Sequence, residues 1–286
     1  MSVVLGANQY GKAEVRLVHV ERTGDRHEIT DLNVSSALSG ELTETHLTGD
    51  NSAVLPTDTQ KNTVFALARD GVGQIEGFAL RLARHFVDSQ PTIGLARVAI
   101  TQAPWERIGP HSFASGGGGV RTTRVTYDGD QAWVLSGLTG LTLLNSTASE
   151  FWGYVKDRYT TLAETHDRIL ATAVDATWRH AAADHDEAYW SASYQAARSA
   201  LIAAFADTHS LSLQQTLYAM GERVLAACPG VVEIRLSLPN KHHFLVDLAP
   251  FGIDNPGEVF YAADRPYGLI EGTVLRDDAP DAGPAW

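Results

Sequence analysis

At 286 residues, 44% of them hydrophobic, the chain can bury a substantial core as one large domain or two moderate ones, which excludes a disordered tail. A formal net charge of −12 supplies no concentrated basic surface for a phosphate backbone, so nucleic acid is not an expected partner. No apolar run reaches the roughly 20 residues needed to span a bilayer, residues 1–10 lack the charged and apolar blocks of a signal peptide, and the single cysteine, Cys228, excludes an intrachain disulfide or thiolate cluster.

After Gly11, Lys12, Glu14 and Arg16 alternate with Ala13, Val15 and Leu17, which predicts a half-buried strand with its charges on one face. A turn at Thr23-Gly24-Asp25 leads into a second strand through Ile29, Leu32 and Val34, giving a hairpin. Beyond Pro56 a helix is expected from Thr57 to about Arg69, with Thr57 as N-cap and Gln60 completing a capping box. Its first turn, carrying Thr57 and Asp58, presents free N–H groups and the positive end of the helix dipole to an anion. Ile75, Phe78, Ala79, Leu82 and Phe86 form one apolar stripe of a second helix. Ile93–Trp105 and Thr122–Leu135 read as two long strands, joined by a loop containing Gly116 to Gly119. That glycine run lacks the Gly-Lys-Ser/Thr ending of a phosphate loop and reads as a surface connection.

From Leu141 the order of elements repeats. A strand through Leu144 gives way to the segment Phe151–Leu162, and strand-like alternation resumes from His166 to Trp178. Helices follow at Ala188 to about Ala206 and at Ser212–Cys228, the second with Leu213, Leu217, Met220, Val224 and Cys228 on one stripe. This spacing predicts a buried Cys228. Ser212 and Gln215 form a capping box that puts Leu213 and Gln214 in the first turn. Val231–Leu238 and His242–Leu248 are expected to pair about a turn near Pro239-Asn240. Each half therefore reads strand, strand, helix, helix, strand, strand. The fold class is α+β, with helices covering one face of antiparallel sheet, and the expected division is 1–139 and 140–286.

Five stretches in register carry a resemblance: Tyr10-Gly11-Lys12, the run DNSAVLPTDTQKNT from Asp50 to Thr63, Phe151-Trp152-Gly153, Asp167-Arg168-Ile169-Leu170, and Ser237-Leu238-Pro239-Asn240-Lys241-His242-His243-Phe244. Together they resemble the urate oxidase (uricase) family over nearly the whole chain. The resemblance implies two tandem tunnelling-fold (T-fold) units whose sheets join between subunits into a barrel, giving a homotetramer with active sites at subunit interfaces. The face bearing Lys12, Glu14 and Arg16 would then line a wet tunnel.

It also implies the chemistry: urate, O2 and water give 5-hydroxyisourate and hydrogen peroxide with no flavin, haem or metal, because urate itself supplies the electrons. Urate is a flat anion. Arg168 would grip one edge with paired hydrogen bonds, Gln214 would read the opposite edge, Phe151 would stack on the ring, and the backbone at Leu213, with Thr57 and Asp58, would complete binding. Asn240 would stand by the oxygen or water position, and Lys12, Thr57 and His242 would relay the proton. Lys12, Thr57 and Asp58 lie in the first half of the chain and Phe151, Arg168, Leu213, Gln214, Asn240 and His242 in the second, and the resemblance implies that the two sets meet across a subunit interface, so that one chain carries only half-sites.

Each residue also has a plainer role open to it: Thr57 as a cap, Arg168 as an ion-pair partner, Gln214 as a capping amide, Phe151 as core. Asn240 and His242, two apart, project to one side of an extended segment and Lys241 and His243 to the other, so His243 reads as structural. A zinc site drawn from His166, His242, His243 and Asp247 has no characteristic ligand spacing. Two other functions share these features, a non-catalytic purine-binding protein and a zinc-dependent enzyme of pterin metabolism. The chain ends Gly283-Pro284-Ala285-Trp286 and not in a peroxisomal Ser-Lys-Leu type signal, which points to a bacterial cytoplasmic enzyme.

Overall fold

The computed structural model describes residues 2–286, and Met1 lies outside the described residues. A hairpin of β1 (Tyr10–Thr23) and β2 (Arg26–Gly40) is followed by a short α1 (Thr43–Leu47), then α2 (Thr57–Arg69), α3 (Ile75–Asp88) and β3 (Ile93–Gln102). A side ribbon of β4 (Trp105–Arg107) and β5 (Phe113–Ser115) leads to β6 (Val120–Tyr127). The pattern repeats with β7 (Ala132–Asn145), β8 (Leu170–His180), α4 (Glu187–Asp207), α5 (Leu213–Ala227) and β9 (Val231–Asn240). A second ribbon, β10 (His243–Leu245) with β11 (Phe260–Ala262), precedes the last strand, β12 (Gly268–Leu275).

The main strands form one eight-stranded sheet in the order β1-β2-β3-β6-β7-β8-β9-β12, antiparallel at every step. Helices pack against the sheet, α2 on β1, α3 on β3 and β6, and α5 on β9 and β12, so the α+β architecture is the one the element order predicts. The α3 stripe is wholly buried, from Ile75 through Phe78, Ala79 and Leu82 to Phe86. Each large apolar side chain taken out of water there contributes about 1.5–3 kcal/mol. Two cores result. The first draws on Val34, Leu38, Phe78 and Val134, the second on Leu138, Trp178, Met220 and Ile234, so they change over within β7. Cys228 is buried in the second core, as its spacing predicts, although it caps the end of α5 and is not part of the helix.

Four local expectations are corrected. The stretch Thr122–Leu135 is two strands, because Asp128 Oδ1 accepts from the N–H groups of Asp130 and Gln131 while Gly129 takes a left-handed φ of 100°. That Asp-Gly pair is the hairpin signal within an otherwise strand-forming run. β9 pairs with β12 and not with residues 242–248, of which His243–Leu245 instead form a ribbon with β11. Pro239 and Asn240 therefore end a strand and do not turn it.

The third correction concerns Thr57. Pro56 is the N-cap, Thr57 is the first helical residue, and no side chain caps the helix. Gln60 is fully buried and turned inward, accepting from Ser36 Oγ at 2.8 Å. A glutamine committed to the sheet cannot complete a capping box.

The fourth lies in β1. Its register slips between Lys12, opposite Ser36, and Val15, opposite Val34. Glu14 sits in the bulge with φ of 56°, its N–H donating to Ser35 Oγ at 3.0 Å. One extra residue inverts the alternation. Lys12 therefore shares the face of Ser36 and buried Val34, under α2, and leaves the opposite face to Arg16. The expected tunnel-facing row of Lys12, Glu14 and Arg16 does not form.

Candidate active site

The sequence-predicted residues fall into two groups. The first is built on β1 and the start of α2. Lys12 is half-buried under α2, and its charge, behind the hydrogen bond and charge of Lys61, helps hold the Asp58 carboxyl below its usual range. The Asp58 carboxylate is itself engaged by Lys61 and Asn62, so what this turn offers a ligand is its backbone N–H groups and the half-buried Thr57 hydroxyl. Tyr10 fixes the distance between the two elements. Its hydroxyl donates to the Leu55 carbonyl at 3.1 Å and accepts from the Leu55 N–H at 2.9 Å.

The second group is built on the loop between β7 and β8, the start of α5 and the end of β9. Arg168 Nε donates to Ser149 Oγ at 3.2 Å, and its guanidinium carbon lies 5.2 Å from the centre of the Phe151 ring. Phe151 is in turn stacked on Tyr154 at 4.9 Å. Burial lowers the Arg168 pKa, yet a guanidinium stays charged across the working range. The backbone of Ser149 bridges to Ser210, which brings this loop against the start of α5. There Ser212 Oγ accepts from the Gln215 N–H at 3.1 Å, as the capping box predicts, leaving Leu213 buried and Gln214 exposed.

Asn240 ends β9 opposite Thr172 and Gly268. Beyond it, Pro239, Lys241 and His243 line one cavity of about 440 Å³ with Thr142, Ala171 and Tyr267. Asn240 and His242 take no part in that lining. The His242 ring stacks on Phe244 at 5.8 Å. Burial, then the nearby charge of Arg168, then His243 lower its pKa. His242 is thus neutral at neutral pH and close enough to Arg168 to feel it, the state a proton acceptor needs.

The two groups do not meet within one chain. β1 is first in the sheet and β9 seventh, which is roughly 29 Å along the sheet at about 4.8 Å per strand. β1 and β9 also run in the same direction, and Lys12 lies near the start of its strand whereas Asn240 ends its own. The first group further sits beside β1, a 14-residue edge strand with one side unpaired.

Two residues beside these groups were not singled out by the sequence reading. Tyr10 lies in a quoted motif, but nothing in its spacing signals a bond to Leu55. Glu150 precedes Phe151, and its partners Trp152, His166 and His209 are brought together only by the fold. Among the described residues, no group of three or more His, Cys, Asp or Glu side chains is placed to hold a metal. No helix among them is long and apolar enough to cross a membrane.

The Uricase family model matches residues 8–127 and 134–271. A uricase from Arthrobacter globiformis is 53% identical over 286 residues, covering 99% of this chain and 94% of the relative. A uricase from Cyberlindnera jadinii is 36% identical, with 97% and 99% covered. The crystal structure of the Arthrobacter globiformis uricase superposes with a TM-score of 0.96, covering 100% of this chain and 99% of that one.

Proposed function

The chain belongs to the uricase family, and we infer that it is a urate oxidase, converting urate, O2 and water to 5-hydroxyisourate and hydrogen peroxide, with each active site completed by a second copy of the chain. The observation that carries the shared site is the separation of the two residue groups around the sheet. Arg168 and Phe151 pack together beside the start of α5 and near His242, while Lys12 lies on β1, six strand steps from the β9 strand that Asn240 ends, at the opposite edge of the sheet.

In this reading urate stacks on Phe151, its edge gripped by the Arg168 guanidinium and the other edge read by the Gln214 amide, with the Leu213 N–H adding a backbone donor. From the neighbouring copy, the first turn of α2 with Thr57 and Asp58 closes over it. The Thr57 hydroxyl passes a proton from urate to the Lys12 amine, and neutral His242 passes it on. The resulting dianion gives electrons to O2, so no cofactor is proposed. Oxygen joins carbon 5 of the ring, hydrogen peroxide leaves, and water beside Asn240 supplies the hydroxyl.

A site divided this way makes assembly a condition of activity. The unpaired edges β1 and β12 favour sheets joined between copies into a barrel, and the proposed assembly is a homotetramer working in a bacterial cytoplasm. Tandem T-fold units at 1–139 and 140–286 agree with a changeover of cores between Val134 and Leu138. The direct test follows urate's ultraviolet absorbance and peroxide release with metal-stripped protein in aerated and oxygen-free buffer. Loss of urate only in air, with peroxide formed one for one, is expected; loss without peroxide would sink the assignment.

A further inference from the structure

Glu150 stands between the two residues that shape the second group, Ser149, which accepts from Arg168, and Phe151, beneath the Arg168 guanidinium. Its backbone N–H donates to the Ser210 carbonyl at 2.7 Å, and the Ser210 N–H donates to Ala148 at 2.9 Å. Phe151 and Thr165 exchange both backbone hydrogen bonds, at 2.8 and 3.0 Å, closing the loop above it.

The side chain gathers what the backbone leaves apart. One carboxylate oxygen accepts from His209 Nε2 at 2.6 Å; the other accepts from Trp152 Nε1 at 2.7 Å and His166 Nδ1 at 3.2 Å. These donors come from three separate segments, the turn after Phe151, the approach to Arg168, and the approach to α5. An ionised carboxylate has acceptor sites for all three, whereas a carboxamide offers one acceptor oxygen and turns its own donors against the rest.

We propose that Glu150 is a positioning residue for substrate binding, a clamp that holds the Phe151–Arg168 loop against the α5 start carrying Leu213 and Gln214. The proposal rests on the reading of these residues as the urate site. Its carboxyl is lowered to about 2 by the hydrogen bonds of His209, then His166, then Trp152, so the clamp stays ionised wherever the fold survives. Glu150 touches no proposed reacting atom. Its effect belongs to the geometry of the bound purine, not to proton transfer.

The test compares Glu150→Gln, Glu150→Ala, His209→Ala and Arg168→Gln in urate turnover and in the affinity of a non-oxidisable xanthine-type purine. Glu150→Ala should raise KM and weaken the purine about tenfold while kcat stays within about twofold, because what is lost is uniform binding. Glu150→Gln should fall between it and the parent, and His209→Ala, at an exposed position, should raise KM by a smaller factor with the fold intact. Unchanged KM and purine affinity in Glu150→Gln and His209→Ala, with Arg168→Gln weakened, would overturn the clamp alone. If Arg168→Gln also left both unchanged, the site reading would fall and the clamp with it.

Discussion

The Tyr10 hydroxyl takes both backbone hydrogen bonds of Leu55, donating at 3.1 Å and accepting at 2.9 Å. Two residues after Tyr10 comes Lys12, and two after Leu55 comes Thr57, so one phenol sets the spacing of the proposed relay. Tyr10→Phe removes the bond and leaves the part-buried Leu55 N–H unpaired, at a cost of about 1–3 kcal/mol. Thermal unfolding should show a lowered midpoint, and kcat should fall with KM nearly constant, since the relay and not the grip on urate is disturbed.

Lys12→Met and Thr57→Ala should each reduce kcat by roughly 10²–10⁴, the range for a lost general acid or base. Steady-state assays over a range of pH check this. Near-normal turnover in Lys12→Met would remove the amine from the mechanism.

The bulge gives a sharper form of the same test. Deleting Ala13 removes the extra residue and leaves Lys12 and Val15 two apart, so that plain alternation keeps Lys12 opposite Ser36 on the α2 face. Turnover should therefore stay well above that of Lys12→Met, with the β1–β2 pairs beyond Val15 intact by hydrogen exchange; a fall to the Lys12→Met level would mean that the bulge itself, and not the facing of Lys12, is what activity needs. Glu14→Gly, which keeps the bulge and relieves a left-handed φ of 56°, should keep activity and raise stability by about 1 kcal/mol.

Where sequence and fold agree, the cause is periodic burial; where they part, a tertiary contact overrides the local rule. The α3 stripe and the Ser212 cap were legible because spacing alone dictates them. Lys12 was legible as a residue but not as a direction, since alternation puts it beside Arg16 and only Glu14 in its bulge reverses that. Thr57 and Gln60 match a capping box, yet Ser36 draws the glutamine into the core. The partner of β9 was hidden by the ribbon inserted between it and β12, a loop whose length conceals a long-range pair. Glu150 could not be found at all, because its three ring donors are scattered along the chain.

Acid should destabilise the protein through His180. This ring is buried between Ser136 Oγ and Tyr189 Oη, and burial, then His185, then Arg121 push its pKa down to about 3. The unfolded chain therefore binds a proton that the folded chain refuses. Stability from this group is fully present above the ordinary histidine value of about 6.5 and falls by about 1.4 kcal/mol per pH unit toward 3. Denaturant melts between pH 7 and 4 should show that slope, and His180→Gln should flatten it.

Mixing two inactive variants tests the shared active site most directly. Lys12→Met keeps the Arg168 group, and Arg168→Gln keeps the Lys12 group, so when the two are dissociated together and reassembled, random pairing should restore about a quarter of parental turnover. Mixed assemblies whose activity stays at the level of the separate variants would contradict a site divided between two chains.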